Sequence, residues 1–366
     1  MKVPFLNFHE THQKLKPELM KALEETLDSG EFILGSQVDR FEKAFAELMG
    51  ADEVIGINSG TSALHLCTRV CNVLPGDEVI TTPFTFMASA WCISYEKAVP
   101  VFADIDPSTY ILDPAKVEAA ITEKTKAIVL VHLFGQPAPM DEFVALAKKY
   151  DLKLIEDCAQ SHLATYKGTS TGLIGDCGAF SFYPTKNLGG LTEGGLCVSK
   201  DKVLSDQMRL LRNHAMPDRY SYLDVGYNYR MEGFAGALLN VKVKYLESWT
   251  QRRQAIASRY VEGLQLEGLR VPPVLEHAPS VYHQFSVCYE NRDALVNYLN
   301  ERGVATGLFY PRPLHLQPVF EELGYQEGDF PVAEKTCGEI INIPVYPEME
   351  DDQVNYVIDT INSFSG

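Results

Sequence analysis

Gly175-Asp176-Cys177-Gly178-Ala179-Phe180-Ser181-Phe182-Tyr183-Pro184-Thr185-Lys186-Asn187-Leu188-Gly189-Gly190 joins a short aromatic segment to a lysine and a dense glycine loop. Ala179–Tyr183 is aromatic and sets Ser181 between two phenylalanines, which predicts a strand. Pro184, with no amide hydrogen to give a ladder, ends it. After Lys186 come Leu191-Thr192-Glu193-Gly194-Gly195 and a second strand-like run, Leu196-Cys197-Val198-Ser199. A lysine so placed is either a solvated turn residue or an amine held in enough protein to lose its proton. Burial disfavours the ammonium form. The amine it frees is a nucleophile that can form a Schiff base with an aldehyde.

Two further stretches favour the second reading. Leu154-Ile155-Glu156-Asp157-Cys158-Ala159-Gln160 sets a carboxylate at the end of an apolar strand. Asn58-Ser59-Gly60-Thr61-Ser62-Ala63-Leu64 sets hydroxyl residues where a strand passes into a helix. Free N–H groups and hydroxyls at a helix start bind anions well, although a plain N-cap uses the same residues. A Schiff-base lysine, a carboxylate for a pyridinium nitrogen and a phosphate cup are what pyridoxal phosphate (PLP) requires.

The chain alternates strand and helix around these stretches. Helices are predicted over Leu15–Ser29, Val38–Met49, Ser62–Val70, from Asp113-Pro114 to about Ile121, and over Met140–Tyr150 and Val203–Asn213. Strands are predicted over Glu53–Ile57, Glu78–Pro83, Val99–Asp106, Ala127–Leu133 and Lys153–Glu156. This alternation predicts a parallel α/β sheet. Ligands in such sheets sit beyond the carboxyl ends of the strands, where Asn58, Phe86, Asp157 and Lys186 all fall. One or two long helices span Glu232–Leu264. A smaller C-terminal part begins near Thr250, with strands near Val281–Val287 and Thr306–Tyr310 and helices over Arg292–Arg302 and Asp351–Phe364. The expected domains are 1–249 and 250–366.

The length of 366 residues allows a large core. A net charge of −17 provides no basic surplus for nucleic acid. The 8 cysteines form no C-x-x-C pair or zinc-spaced cluster with histidine, and Cys67 and Cys71 stand one helical turn apart, as on a core face. Met1-Lys2-Val3-Pro4 leads into a polar helix and not into the apolar core of a signal peptide. No apolar run is long enough to span a membrane. A reduced, cytoplasmic enzyme is expected.

From about Pro4 to about Asn362 the chain resembles the DegT/DnrJ/EryC1/StrS family of PLP-dependent nucleotide-sugar aminotransferases. The resemblance implies a fold-type-I PLP transferase, similar to aspartate aminotransferase. Its large domain would carry a mostly parallel, seven-stranded type of sheet, and its smaller C-terminal domain would be α+β. It implies that Lys186 carries PLP covalently and that Asp157 pairs with the ring nitrogen. Phe86, in preference to Phe84, would stack on the ring, and Gln160 would lie near its 3-hydroxyl. Ser59, Gly60, Thr61, Ser62 and Ser181 would hold the phosphate. Asn228, in Gly226-Tyr227-Asn228-Tyr229-Arg230-Met231, would come from a neighbouring subunit and make the enzyme a homodimer with shared sites. Tyr310 and His315, in Tyr310-Pro311-Arg312-Pro313-Leu314-His315-Leu316-Gln317, are candidates for sugar contacts, with Tyr183. Arg219 and Arg230 are candidates for phosphates or a donor carboxylate. His162 reads equally as a structural or a catalytic histidine.

The function implied is transfer of an amino group from L-glutamate to a nucleotide-linked keto sugar, through the pyridoxamine phosphate form. The wording around His315 favours a 3-keto over a 4-keto sugar. Two alternatives stand beside it: an L-glutamine-dependent keto-cyclitol (inosose) aminotransferase, and a PLP-binding regulator without turnover. Leu163, Glu193 and Glu232-Gly233-Phe234-Ala235-Gly236-Ala237 depart from the family's commoner wording. These departures bear on substrate more than on chemistry.

Overall fold

Strands buried on both faces need near-continuous apolar runs. In the computed structural model, which describes residues 1–365, Ala127, Ile128, Val129 and Leu130 of β4 (Thr125–Val131) are fully buried. With β4, the strands β1 (Ile55–Ile57), β2 (Glu78–Thr81), β3 (Val99–Phe102), β5 (Lys153–Asp157), β8 (Cys177–Ser181) and β9 (Gly195–Val198) form one seven-stranded sheet. Its order is β1-β9-β8-β5-β4-β2-β3. A separate hairpin, β6 (Thr165–Tyr166) and β7 (Thr169–Ser170), stands beside it. Only β9 runs against its neighbours β1 and β8. The carboxyl ends of β1, β2, β5 and β8 therefore open on one edge of the sheet.

Helices cover both faces. Ile55, Ile57, Val129 and Ile155 pack with α3 (Gly60–Val70), α4 (Ala88–Tyr95) and α7 (Lys202–Arg212). Ile128, Leu130 and Leu154 pack with α5 (Pro114–Ala120) and α6 (Met140–Tyr150). Two helices, α1 (Phe8–Ser29) and α2 (Ser36–Met49), lie against α8 (Gly233–Lys242), and Phe41 and Phe45 of α2 reach Phe180 and Phe182. α1 begins at Phe8, well before Leu15, and runs on through Pro17. Among the described residues no helix is long and apolar enough to cross a membrane.

A short 3-10 turn, Val243–Tyr245, links α8 to α9 (Leu246–Gly263). Beyond it, α10 (Arg292–Glu301), α12 (Asp351–Asn362) and the antiparallel pair β10 (Phe285–Cys288) and β11 (Ile340–Ile343) enclose a second core. Val3 pairs with Val304 and joins this second core with Leu6, so residues from the first few positions of the chain lie in it. Thr306–Tyr310 is not a strand, because its only bridge joins Gly307 to Asn342. Sequence reading also passes over α11 (Pro331–Glu339) and β11. Pro331 looks like a breaker, but it occupies the first turn of α11, where proline is tolerated.

One buried ion pair ties the N-terminal helices to the sheet. Arg212 donates to Glu42 at 2.7 Å and to the Gly56 carbonyl at 3.0 Å, while Glu42 also accepts the Gly56 N–H at 2.7 Å. Arg212→Met leaves that carboxylate with the outer Arg209 as its one cation, and should lower stability by about 3 kcal/mol. Arg209→Met, at a more exposed position, should cost about 1 kcal/mol or less. Equilibrium unfolding of the two variants checks the difference.

Candidate active site

The four parallel strand ends converge on a cavity of 670 Å³. β5 ends on Asp157 itself. Side chains alternate along a strand, so Glu156 faces the other way, into a buried pocket where His132 Nε2 lies at 2.9 Å and Gly172 N–H donates at 2.8 Å. Asp157 faces the cavity. Its Oδ2 accepts from Ser89 Oγ at 2.7 Å and its Oδ1 from Ala159 N–H at 3.1 Å. Burial raises its pKa, and those two hydrogen bonds and the Lys186 amine only partly offset the rise. Such a carboxylate gains from any cation brought against it.

Lys186 stands in the turn after β8, where its N–H donates to the Tyr183 carbonyl at 2.8 Å. The chain then folds back so tightly that a Cβ on Gly189 would meet the Pro184 carbonyl oxygen at 2.0 Å. Lys186 is half-buried and lines the cavity. Desolvation lowers its pKa to about 8, against the pull of Asp157. Its neighbour Asn187 is buried, donates to the Val281 carbonyl at 3.0 Å, and pairs with His283 Nδ1 at 3.2 Å. Burial, with Lys186 and Arg253 nearby, keeps His283 neutral by pushing its pKa well down.

The cavity brings together Ser59, Gly60, Thr61, Phe86, Asp157, Gln160, Ser181, Tyr183, Lys186 and Tyr310. Ser59 caps α3 by accepting the Ser62 N–H at 3.1 Å, and its hydroxyl lies 2.9 Å from that of Ser62. Phe86 is 53% exposed toward the cavity, whereas Phe84 is 0% exposed and packs on Phe134 and Tyr310. Gln160 accepts the Phe134 N–H at 2.6 Å and donates to the Tyr310 hydroxyl at 3.1 Å, which links β5's loop to the C-terminal segment.

Other candidates lie elsewhere. His315 does not reach the cavity. It is buried, sits 3.1 Å from Glu334, and packs its ring on Phe330 at 4.7 Å. Arg219 is exposed, 5.3 Å over the Tyr220 ring, and Arg230 donates to Asn213 at 2.9 Å; neither lines this cavity. Asn228 is exposed and outside its own chain's cavity, with its carbonyl accepting from Asn58 Nδ2 at 3.3 Å. His162 is packed among Phe45, Phe180 and Phe182, does not line the cavity, and burial holds its pKa near 3. Sequence reasoning missed Ser89, His283 and Asn187. The only signal for Ser89 was its place one helical turn after Thr85, whose hydroxyl it meets at 3.1 Å.

These residues fit PLP. Lys186 is a depressed-pKa amine, Asp157 is a carboxylate short of a cation, and the α3 N-terminus, Ser59, Thr61 and Ser181 form an anion cradle. The cradle is tight, since a Cβ on Gly195 would meet the Ser59 carbonyl carbon and oxygen at 2.3 Å. Gly195→Ala should therefore push the helix start away and raise the PLP dissociation constant about tenfold or more, the equivalent of one lost charge-assisted hydrogen bond. Titration of the apo protein by fluorescence measures it.

Comparison with known proteins agrees with this geometry. The model of the DegT/DnrJ/EryC1/StrS aminotransferase family matches residues 13–362. A "Pleiotropic regulatory protein" of Geobacillus stearothermophilus is 42% identical, covering 100% of this chain and 99% of that protein. The "dTDP-3-amino-3,6-dideoxy-alpha-D-galactopyranose transaminase" of Aneurinibacillus thermoaerophilus is 39% identical, covering 99% of each chain. The crystal structure of S. venezuelae DesV in complex with ketimine intermediate superposes with a TM-score of 0.96 at 38% identity, covering 99% of this chain and 98% of that one.

Proposed function

We propose, on the premise that this chain belongs to the DegT/DnrJ/EryC1/StrS aminotransferase family and is a PLP-dependent aminotransferase, that it transfers an amino group from L-glutamate to a nucleotide-linked keto sugar, 3-keto in preference to 4-keto. The observation that carries the chemistry is Lys186 and Asp157 lining one cavity, with the Lys186 pKa lowered toward the range that proton transfer needs. The acceptor rests on the relatives, among them transaminases named for dTDP-3-amino and UDP 3-keto sugars.

PLP, when bound, supplies an electron sink conjugated to the donor's α-carbon. Lys186 would hold it covalently. With the donor's amino group in its place, Lys186 Nζ would take the proton from the donor's α-carbon and hold it as the ammonium, a role suited to a pKa near 8. Asp157 keeps a proton on the ring nitrogen by charge. Phe86 offers a ring face, and Gln160 and Tyr310 close the cavity above β5. Ser59, Gly60, Thr61, Ser62 and Ser181 bind phosphate. The eight unpaired thiols support a reducing compartment, the cytoplasm.

Asn228 would complete the phosphate cup of a partner subunit, a role its exposure outside its own cavity supports. Asn228→Ala should weaken PLP retention about tenfold. Mixing it with Lys186→Ala subunits should restore activity. Absence of complementation would remove the shared site.

The test of the whole reading is the visible spectrum of the PLP-loaded protein. L-glutamate should bleach the cofactor band, and a 3-keto sugar nucleotide should restore it faster than a 4-keto isomer. L-glutamine with an inosose belongs in the same panel. The relative named as a regulatory protein favours one second reading, a PLP-binding regulator. An unchanged band under every donor would favour it.

A further inference from the structure

Beside the Lys186 turn lies a second cavity, of 50 Å³, walled by α1, residues Pro184–Gly189, α8, α9 and the segment 346–348. It is rich in donors and poor in acceptors. Lys242 and Arg253, each no more than 5% exposed, both line it. Lys242 spends one N–H on the Gly189 carbonyl and keeps the others. Arg253 spends its Nη1 on the carbonyls of Val345, at 2.6 Å, and Tyr282, at 3.3 Å, while its Nε has no partner. The Tyr346 hydroxyl, on a residue 2% exposed, and His12 Nε2 are likewise buried without partners. The one carboxylate in the wall, Glu348, already accepts from Thr11.

Lys242 and Arg253, with Lys186 also in the wall, face one carboxylate, which leaves a surplus of positive charge in this small cavity. Unsatisfied buried donors cost free energy until an acceptor meets them. A water could accept here and give its hydrogens to the second Glu348 oxygen, but it would leave the surplus charge in place. An acceptor-only species can meet such donors and also offsets the charge. The space exceeds the roughly 10–15 Å³ that one water-sized probe needs. It suits a monoatomic ion with one or two waters.

We infer that this cavity is a binding site for a small monovalent anion, chloride in cellular conditions, held by Lys242, Arg253 and the Tyr346 hydroxyl. The ion would join α1 and the C-terminal segment to the turn that carries Lys186. Lys186 itself lines this cavity, so the ion would sit beside the amine that would carry the cofactor.

The probe is halide. In crystals soaked in bromide, an anomalous peak should sit between Lys242 Nζ, Arg253 Nε and the Tyr346 hydroxyl. In solution, replacing gluconate by chloride at constant ionic strength should raise Tm saturably, by about 4 °C at a hundredfold excess over the dissociation constant. Tyr346→Phe should shift the chloride midpoint about tenfold upward, and Lys242→Met should remove the chloride dependence whatever its own Tm. A Tm indifferent to chloride, a peak seen only at molar bromide, or a response unchanged in Lys242→Met would each overturn the assignment.

Discussion

Lys186→Ala should lose amino transfer by at least about 10⁴-fold, the upper range for one acid–base group, because the same amine also holds the cofactor. Lys186→Arg should lose as much. It keeps the positive charge, but a guanidinium does not give up its proton. The two variants together separate the amine's chemistry from its charge. Both should fold, since the side chain lines a cavity and supports no core, and unfolding curves check that. A Lys186→Ala enzyme within tenfold of wild type would remove the lysine from the reaction.

The same residue carries a pH signature that needs no substrate. Desolvation lowers the Lys186 pKa to about 8. The neutral amine is the reactive form, so in the PLP-free protein its labelling by an amine-selective acylating reagent should plateau above about pH 8. Below that it should fall tenfold per pH unit. The surface lysines should titrate near the ordinary value of about 10.4. Asp157 works against the depression by favouring the ammonium. Asp157→Asn should therefore move the labelling midpoint further down, which ties the two groups by a sign as well as by proximity.

How much of this was legible in the sequence depended on whether a signal was local. Asp157 could be found because it closes a short strand entered by the apolar pair Leu154-Ile155, and alternation along it separates Asp157 from Glu156. Lys186 could be found because Pro184 and a glycine loop bracket it. Phe86 rested on the resemblance, and its exposure beside a buried Phe84 gives the preference a physical basis. Ser89 carried only the weak signal of its spacing from Thr85. It lies 68 residues from Asp157 in a helix apolar all round, and only the order β5-β4-β2 brings the two together. His315 failed for the opposite reason. Its local wording suggested a sugar contact, but Glu334 folds back onto it from α11, an element the sequence did not announce. The donor-lined cavity at Lys242 and Arg253 was equally hidden, because its walls come from both ends of the chain.

Ser89 also sharpens the test of Asp157. Asp157→Asn should cost on the order of 10³-fold in turnover, the scale of losing a preorganised electrostatic partner. Asparagine is nearly isosteric, but its amide cannot both accept from Ser89 Oγ and accept from the Ala159 N–H through equivalent oxygens. Part of any loss could then be geometric. Ser89→Ala isolates that part, since it removes one hydrogen bond at 2.7 Å and leaves the charge. It should cost about tenfold. It should also raise the Asp157 pKa further, because the Ser89 hydroxyl now opposes the effect of burial. The activity of Ser89→Ala should therefore fall off at a higher pH than wild type on the acid limb. If Asp157→Asn and Ser89→Ala lose equally, the carboxylate acts by position alone. A hundredfold gap between them means that its charge does the work, and an Asp157→Asn enzyme within tenfold of wild type would take the ring-nitrogen role away from it.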